Sequence, residues 1–278
     1  MVKTDMTLVI ALKWYFGPNE EAVVISADSR ATMGPVSYEV RKIYPIVLRE
    51  DDEEIPLAVA GGAGDASIVK QSFRITERML VEIAKEEWGS RTPSFEEFEE
   101  AVRAAETRLI RRFSQLRDQG IEIDFQMILT SVDSHGKASI YLFDPRGLAE
   151  PMHDNPGFAV IGKGFFTGGN LLLRLLGYSP AESIGMDLGL LSAFIIDAVS
   201  EIDTSVGPFV GESWLMRVDK AEGKVVLGPL KDEALREFKD KVRKRKELIR
   251  KLWRLCEVVE KEEEVDKMIE EALKKQRK

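Results

Sequence analysis

Val59-Ala60-Gly61-Gly62-Ala63-Gly64-Asp65-Ala66 is where this chain changes character. Before it, short apolar runs rich in strand formers alternate with turn signals. Residues 43–48 and 55–60 read as one strand pair around the acidic turn Arg49-Glu50-Asp51-Asp52-Glu53-Glu54, and residues 8–12 and 22–27 read as another around Gly17-Pro18-Asn19. Gly61 to Asp65 reads as punctuation. After it, Ile68, Phe73, Ile75, Met79, Leu80 and Ile83 recur at three- and four-residue spacings, which predicts a helix over 66–88.

Working outward, Ser94 followed by Glu97 is a capping-box pattern and predicts a second helix to about residue 119. Strands are expected at 125–132 and 138–143 around Asp133-Ser134-His135-Gly136, with a further strand at 158–161. Two helices over 165–176 and 180–202 precede a last hairpin at 212–218 and 224–227. Strands and helices thus come in blocks. That order suggests antiparallel sheets with helices packed outside them, because a parallel sheet needs a crossover between consecutive strands.

Residues 231–278 contain no Gly or Pro and are dense in Lys, Arg and Glu. Leu235, Phe238, Val242, Ile249, Leu252, Trp253, Cys256 and Val259 keep a helical period, so one or two amphipathic helices are expected there. Two domains follow, 1–230 and 231–278. The basic run 239–246 and the acidic run 260–264 read as solvated faces or as a partner surface, and the tail is a candidate for mediating assembly.

Hydrophobic residues make up 44% of the 278 and charged residues 32%. A real core is therefore available, while no apolar run reaches the roughly 18 residues of a spanning helix. No signal-peptide pattern opens the chain, so a cytoplasmic location without a membrane partner is expected. The net charge of −8 argues against nucleic acid as the partner. Cys256 is the only cysteine, expected to serve packing. His135 and His153 lack ligand spacing, so no metal and no organic cofactor are expected.

Several stretches together resemble the proteasome β-subunit and HslV-like family of N-terminal-nucleophile hydrolases. They are Ala27-Asp28-Ser29-Arg30-Ala31-Thr32-Met33-Gly34, Arg41-Lys42-Ile43-Tyr44-Pro45-Ile46, residues 59–66, Val160-Ile161-Gly162-Lys163-Gly164 and Asp203-Thr204-Ser205-Val206-Gly207. The five motifs stand in family order over residues 7–227. The resemblance implies an α+β fold, a four-layer α-β-β-α sandwich, followed here by C-terminal amphipathic helices. It also implies a threonine-type peptidase or amidase acting on a peptide or protein substrate, and a homo-oligomer that could form rings.

Carried onto this chain, the resemblance makes Thr7 the nucleophile, with its α-amine as base. Lys42 is the lysine beside it, Asp28 the aspartate that orients the lysine, and Gly61 the oxyanion donor. Asp203 and Ser205 belong to the last loop. Lys163 stands where the family has a serine, and Val206 stands at the later serine place. Ala31, Val59 and Ala63 would line the first specificity pocket and favour modest apolar side chains. Thr7 follows Met6, so either a start at Met6 with methionine removal or autocatalytic loss of residues 1–6 would free its amine.

The residues also fit other readings. Thr7 can be an ordinary strand threonine, Asp28 and Lys42 a structural ion pair, and Gly61 a turn glycine. The chain would then be a non-catalytic scaffold or assembly subunit. A transpeptidase, in which a second amine replaces water, shares the same acyl step.

Overall fold

The computed structural model describes residues 7–17, 20–28, 30–33, 36–39, 41–50, 53–258, 266–267 and 271, with the side chains of 30–33, 36–39 and 257–258 left undescribed. The chain divides into two compact units, Met1–Asp232 and Glu233–Lys278.

The first unit opens with the antiparallel hairpin β1 (Val9–Gly17) and β2 (Glu20–Asp28), paired from Val9↔Ala27 outward. A short ribbon follows, β3 (Arg30–Met33) with β4 (Val36–Glu39). Next come β5 (Ile43–Glu50) and β6 (Glu53–Gly64), then α1 (Ala66–Glu86) and α2 (Phe95–Asp118). The chain returns to strands with β7 (Phe125–Val132), β8 (Ala138–Phe143), β9 (Ala149–Pro151) and β10 (Phe158–Ile161). Helices α3 (Gly169–Leu175) and α4 (Leu188–Ser200) precede the closing hairpin β11 (Val210–Asp219) and β12 (Lys224–Pro229). One five-stranded sheet runs β10-β1-β2-β11-β12, and the other is the meander β5-β6-β7-β8-β9.

The expected four-layer α-β-β-α sandwich is corrected by this architecture: the described residues form two antiparallel five-stranded sheets, a separate two-stranded ribbon and five α-helices. Block order in a sequence specifies which strands and helices exist, but it does not specify how layers stack. Two of the packed cores flank the second sheet. One draws Val9, Val23 and Ile25 from the first sheet together with Ile43, Val59, Ile128 and Ile140 from the second. The other packs the second sheet against α1 and α2 through Leu57, Leu129, Phe73, Leu80, Phe98 and Phe113. Burying each such large side chain contributes about 1.5–3 kcal/mol.

The glycine stretch is strand, not turn. β6 continues through Gly64, with Gly61 paired to Ile43 and Ile128. Alternation sends Gly61 and Gly62 to opposite faces, and each face is already full. A Cβ on Gly61 would stand 2.7 Å from Val9 Cγ1 and 2.9 Å from Ile25 Cδ1. One on Gly62 would stand 2.5 Å from Val69 Cγ1 and 2.8 Å from Phe73 Cζ. Packing on both sides, not backbone curvature, requires these glycines.

Asp65 then caps α1, accepting the amides of Ser67 at 2.8 Å and Ile68 at 3.1 Å. Ser94 and Glu97 form the expected capping box on α2. The third and fourth helices are shorter than expected. Gly168, at φ +140°, immediately precedes α3, and Asp187 caps α4 by accepting the Leu190 amide at 3.0 Å.

In the second unit, α5 (Asp232–Val258) begins at the last residue of the first and exposes Leu248, Ile249, Leu252 and Trp253. Cys256, expected to pack, is exposed. Residues 259–265 lie outside the described residues, so the expected packing of Val259 and the acidic run 260–264 are outside them too. No helix among the described residues is long and apolar enough to cross a membrane.

Candidate functional site

Asp28 ends β2 with no solvent exposure. A carboxylate buried there demands hydrogen bonds and a counter-charge, since an uncompensated one is severely disfavoured. The fold supplies both. Asp28 Oδ1 accepts the Thr7 hydroxyl at 3.3 Å, the Leu8 amide at 2.8 Å and the Lys42 ammonium at 2.8 Å. Asp28 Oδ2 accepts the Gly207 amide at 2.8 Å. Thr7 is 1% exposed and Lys42 6%. The sequence-predicted residues Thr7, Asp28 and Lys42 are thus brought together around one oxygen.

Strand pairing explains the convergence. Thr7 and Leu8 lead into β1, whose first pair sets Val9 opposite Ala27, beside Asp28. Lys42 precedes β5 and is fixed by its backbone: Glu212 Oε1 accepts the amides of Lys42 at 2.7 Å and Ile43 at 2.8 Å. The Lys42 carbonyl accepts the Gly62 amide at 3.2 Å. Glu212 also lies 3.9 Å from Arg41 Nε and accepts Trp214 Nε1 at 3.4 Å.

The loop 162–164 lies on the other side of Thr7. The Gly164 amide donates to the Thr7 carbonyl at 3.4 Å, and Gly162, at φ +88°, comes so close that a Cβ there would strike that carbonyl. Lys163 is exposed between these glycines. In the last loop, Asp203 Oδ1 accepts both the amide of Ser205, at 3.0 Å, and its hydroxyl, while Oδ2 accepts the Thr167 hydroxyl at 3.2 Å. Burial alone would raise the Asp203 carboxyl. The bonds from Ser205 and Thr167, with the Lys163 charge, outweigh it and hold the group below the usual carboxylate range. Among the described contacts no bond joins Asp203 or Ser205 to Thr7; the loop reaches the cluster through Gly207.

A cleft of about 220 Å³ opens beside Thr7, walled by Arg41, Lys42, Tyr44, Val69, Lys70 and the backbone of 62–64. Ala63 lines it. Val59 is wholly buried in the core and Gly61 faces the core, so neither contributes a side to this cleft. Ala31 lies in β3, and its side chain is outside the described residues. Burial pushes the Tyr44 phenol above its ordinary value, ahead of the opposing Arg41 charge, and keeps it a neutral hydroxyl. No group of three or more His, Cys, Asp or Glu among the described residues is placed to hold a metal.

Glu212, the Leu8 amide and the cations Arg41 and Lys70 were not marked by the sequence reading. Glu212 carries no local signal, since it is simply an acidic residue near the start of β11, 170 positions from Lys42. Gly162 and Gly207 were visible only as members of glycine-bearing loops.

Fold and cluster together define a class: a protein of two antiparallel sheets with a buried Thr–Asp–Lys cluster. Solved structures share that fold. The chain is similar to an Anbu (Gly-1) mutant from Hyphomicrobium sp. strain MC1, with a TM-score of 0.63 and 16% identity over 90% of this chain and 99% of that one. Anbu from the same strain gives 0.61 and 16% over 91% and 98%. Anbu (ancestral beta-subunit) from Yersinia bercovieri gives 0.61 and 13% over 88% and 96%.

No family model and no curated protein matches the chain. Membership of the proteasome β-subunit and HslV-like family, expected from the five motifs, is corrected accordingly to a likeness of fold. The physical reason lies in the motifs. Runs such as 61–65 and 162–164 hold glycines where neighbouring side chains or backbone leave no room for a Cβ, so they track geometry more than lineage.

Proposed function

We propose that this protein is an amide hydrolase whose nucleophile is the Thr7 hydroxyl, active when Thr7 is the first residue. The observation that carries the reading is the sharing of Asp28 Oδ1 by the Thr7 hydroxyl and the Lys42 ammonium, at 3.3 and 2.8 Å. A free α-amine on Thr7, with an ordinary pKa of about 7.7–8.0, holds an appreciable neutral fraction at neutral pH and can accept the hydroxyl proton. The Lys42 charge favours that neutral amine and the developing alkoxide. Attack on a substrate amide carbonyl gives a tetrahedral adduct. The amine returns the proton to the leaving nitrogen, an ester on Thr7 Oγ1 forms, and water releases the acid. The contact with Asp28 holds Lys42 in place.

The test is a chain started at Met6, so that methionine removal leaves Thr7 first, treated with a β-lactone or peptide epoxyketone and analysed by intact mass. Covalent labelling on Thr7 that disappears in Lys42→Ala is expected; an unlabelled chain with a confirmed Thr7 N-terminus sinks the proposal.

One observation favours a second reading, a non-catalytic scaffold: Thr7 is only 1% exposed in the full chain. Full-length protein that is never processed in its native host and never labelled would support it.

A further inference from the structure

We propose that the cleft beside Thr7 selects a carboxylate, that is, an acidic residue on the acyl side of the bond attacked. The inference rests on the Thr7 reading for its chemistry and on the cleft walls for its specificity. Three cations, Arg41, Lys42 and Lys70, face this space, and no acidic residue is among its described lining. Lys42 is committed to Asp28. Arg41 meets a carboxylate only at Nε, where Glu212 Oε2 lies 3.9 Å away, and Lys70 has no ion pair among the described residues.

Arg41 is fixed by its stem. Its Nε donates to the Ile43 carbonyl at 2.8 Å, and the guanidinium stacks over the rings of Tyr44 and Trp214 at 5.7 and 5.5 Å. Its terminal nitrogens make no hydrogen bond among the described residues. A guanidinium held by Nε and by ring stacking, with its outer edge open, is a pre-organised fork for a carboxylate. Lys70 stands exposed in the first turns of α1, one residue from Val69 in the same wall.

The nearby acids are engaged elsewhere. Asp65 caps α1, Asp28 holds Thr7 and Lys42, and Glu212 accepts the amides of Lys42 and Ile43 through Oε1 and the Trp214 indole through Oε2, which reaches Arg41 only at Nε and leaves its outer edge open. The space of about 220 Å³ suits a single side chain. Of the residues expected to give an apolar pocket, Val59 lies in the core and Ala63 forms a small wall of this cleft beside its cations.

The test uses the chain started at Met6. Binding of N-acetylated, fluorescently labelled peptides that end in Glu, Leu or Lys, otherwise identical, is measured by anisotropy at low and high salt. Since Arg41 and Lys70 are exposed, the Glu-ended peptide is expected to bind about five- to tenfold tighter than the Leu-ended one at low salt, with the gap shrinking at high salt. Lys70→Glu, on the protein surface, should halve the gap or more. Arg41→Glu with Lys70→Glu should turn the preference toward the Lys-ended peptide, with circular dichroism confirming the fold. Equal or tighter binding of the Leu-ended peptide, or a preference that Lys70→Glu leaves intact, overturns the inference. β-Lactone labelling, scored separately, distinguishes the two readings. A labelled Thr7 without acid preference ends the carboxylate proposal alone. Acid preference without labelling ends the nucleophile proposal and leaves a carboxylate-binding site.

Discussion

Glu212 holds Lys42 by the main chain: its Oε1 accepts the Lys42 amide at 2.7 Å, while the Lys42 side chain reaches away to Asp28. A strand in one sheet thereby sets the position of a lysine that opens the other. Glu212→Ala strips the acceptor from two amides and is expected to cost about 1–3 kcal/mol. It should also slow labelling of Thr7 and move the pH midpoint of that labelling, because Lys42 would sit less firmly beside the α-amine. Glu212→Gln, which keeps an oxygen at the same reach, should recover most of both. Thermal unfolding together with a labelling pH profile separates this positioning role from a merely structural one, which would shift the melting point alone.

The Asp28–Lys42 pair is buried on both sides. Asp28→Asn or Lys42→Ala alone leaves one side of that arrangement without its counterpart, and Lys42→Ala should destabilise by about 3–5 kcal/mol. Removing both charges with Asp28→Asn and Lys42→Met should be milder than the sum of the single changes. A double-mutant cycle in urea measures this; strict additivity would mean that the two groups do not act as a pair.

Gly61→Ala places a methyl group against Val9 and Ile25. The expected loss is about 1–3 kcal/mol by overpacking, and Gly61→Ala with Ile25→Val should regain part of it. Chemical denaturation of the three proteins checks this. A neutral Gly61→Ala would mean that the space between the sheets is looser than described.

Alkaline stability should depend on Tyr141. Burial first, then the Glu99 and Asp154 charges, push its phenol up to about 12 from the ordinary 10.0. A raised pKa means the folded state holds the proton more tightly. The contribution is therefore fully present below pH 10 and fades as pH climbs through about 12. Tyr141→Phe should lose less stability across that window than the parent, as followed by thermal unfolding at stepped pH, with phenolate absorbance marking the titration.

Much of this was legible in the sequence. The apolar periods of α1 and the Ser94–Glu97 box specify their helices locally, and the strand pairs around residues 17–19 and 133–136 follow from turn chemistry. Thr7, Asp28 and Lys42 were legible through motif order, and their spacing in the chain gave no hint of the shared oxygen. The β6 glycines misled because Gly-Gly reads as a turn unless one knows that Ile25 lies on one side and Phe73 on the other. Glu212 and the cationic wall of Arg41 and Lys70 were hidden for a related reason. Their roles come from contacts between distant segments, and no local pattern encodes those. The same holds for sheet stacking.

The donors around Asp28 come from residues 7, 8, 42 and 207, so no local stretch of chain can assemble them. The hairpin of β1 and β2, the start of β5 and the loop before β11 must all be home before this carboxylate is tolerable in the interior. The cluster is consequently a checkpoint on completed folding: a nascent or half-folded chain carries Thr7 and Asp28 but not the distant partners that settle them.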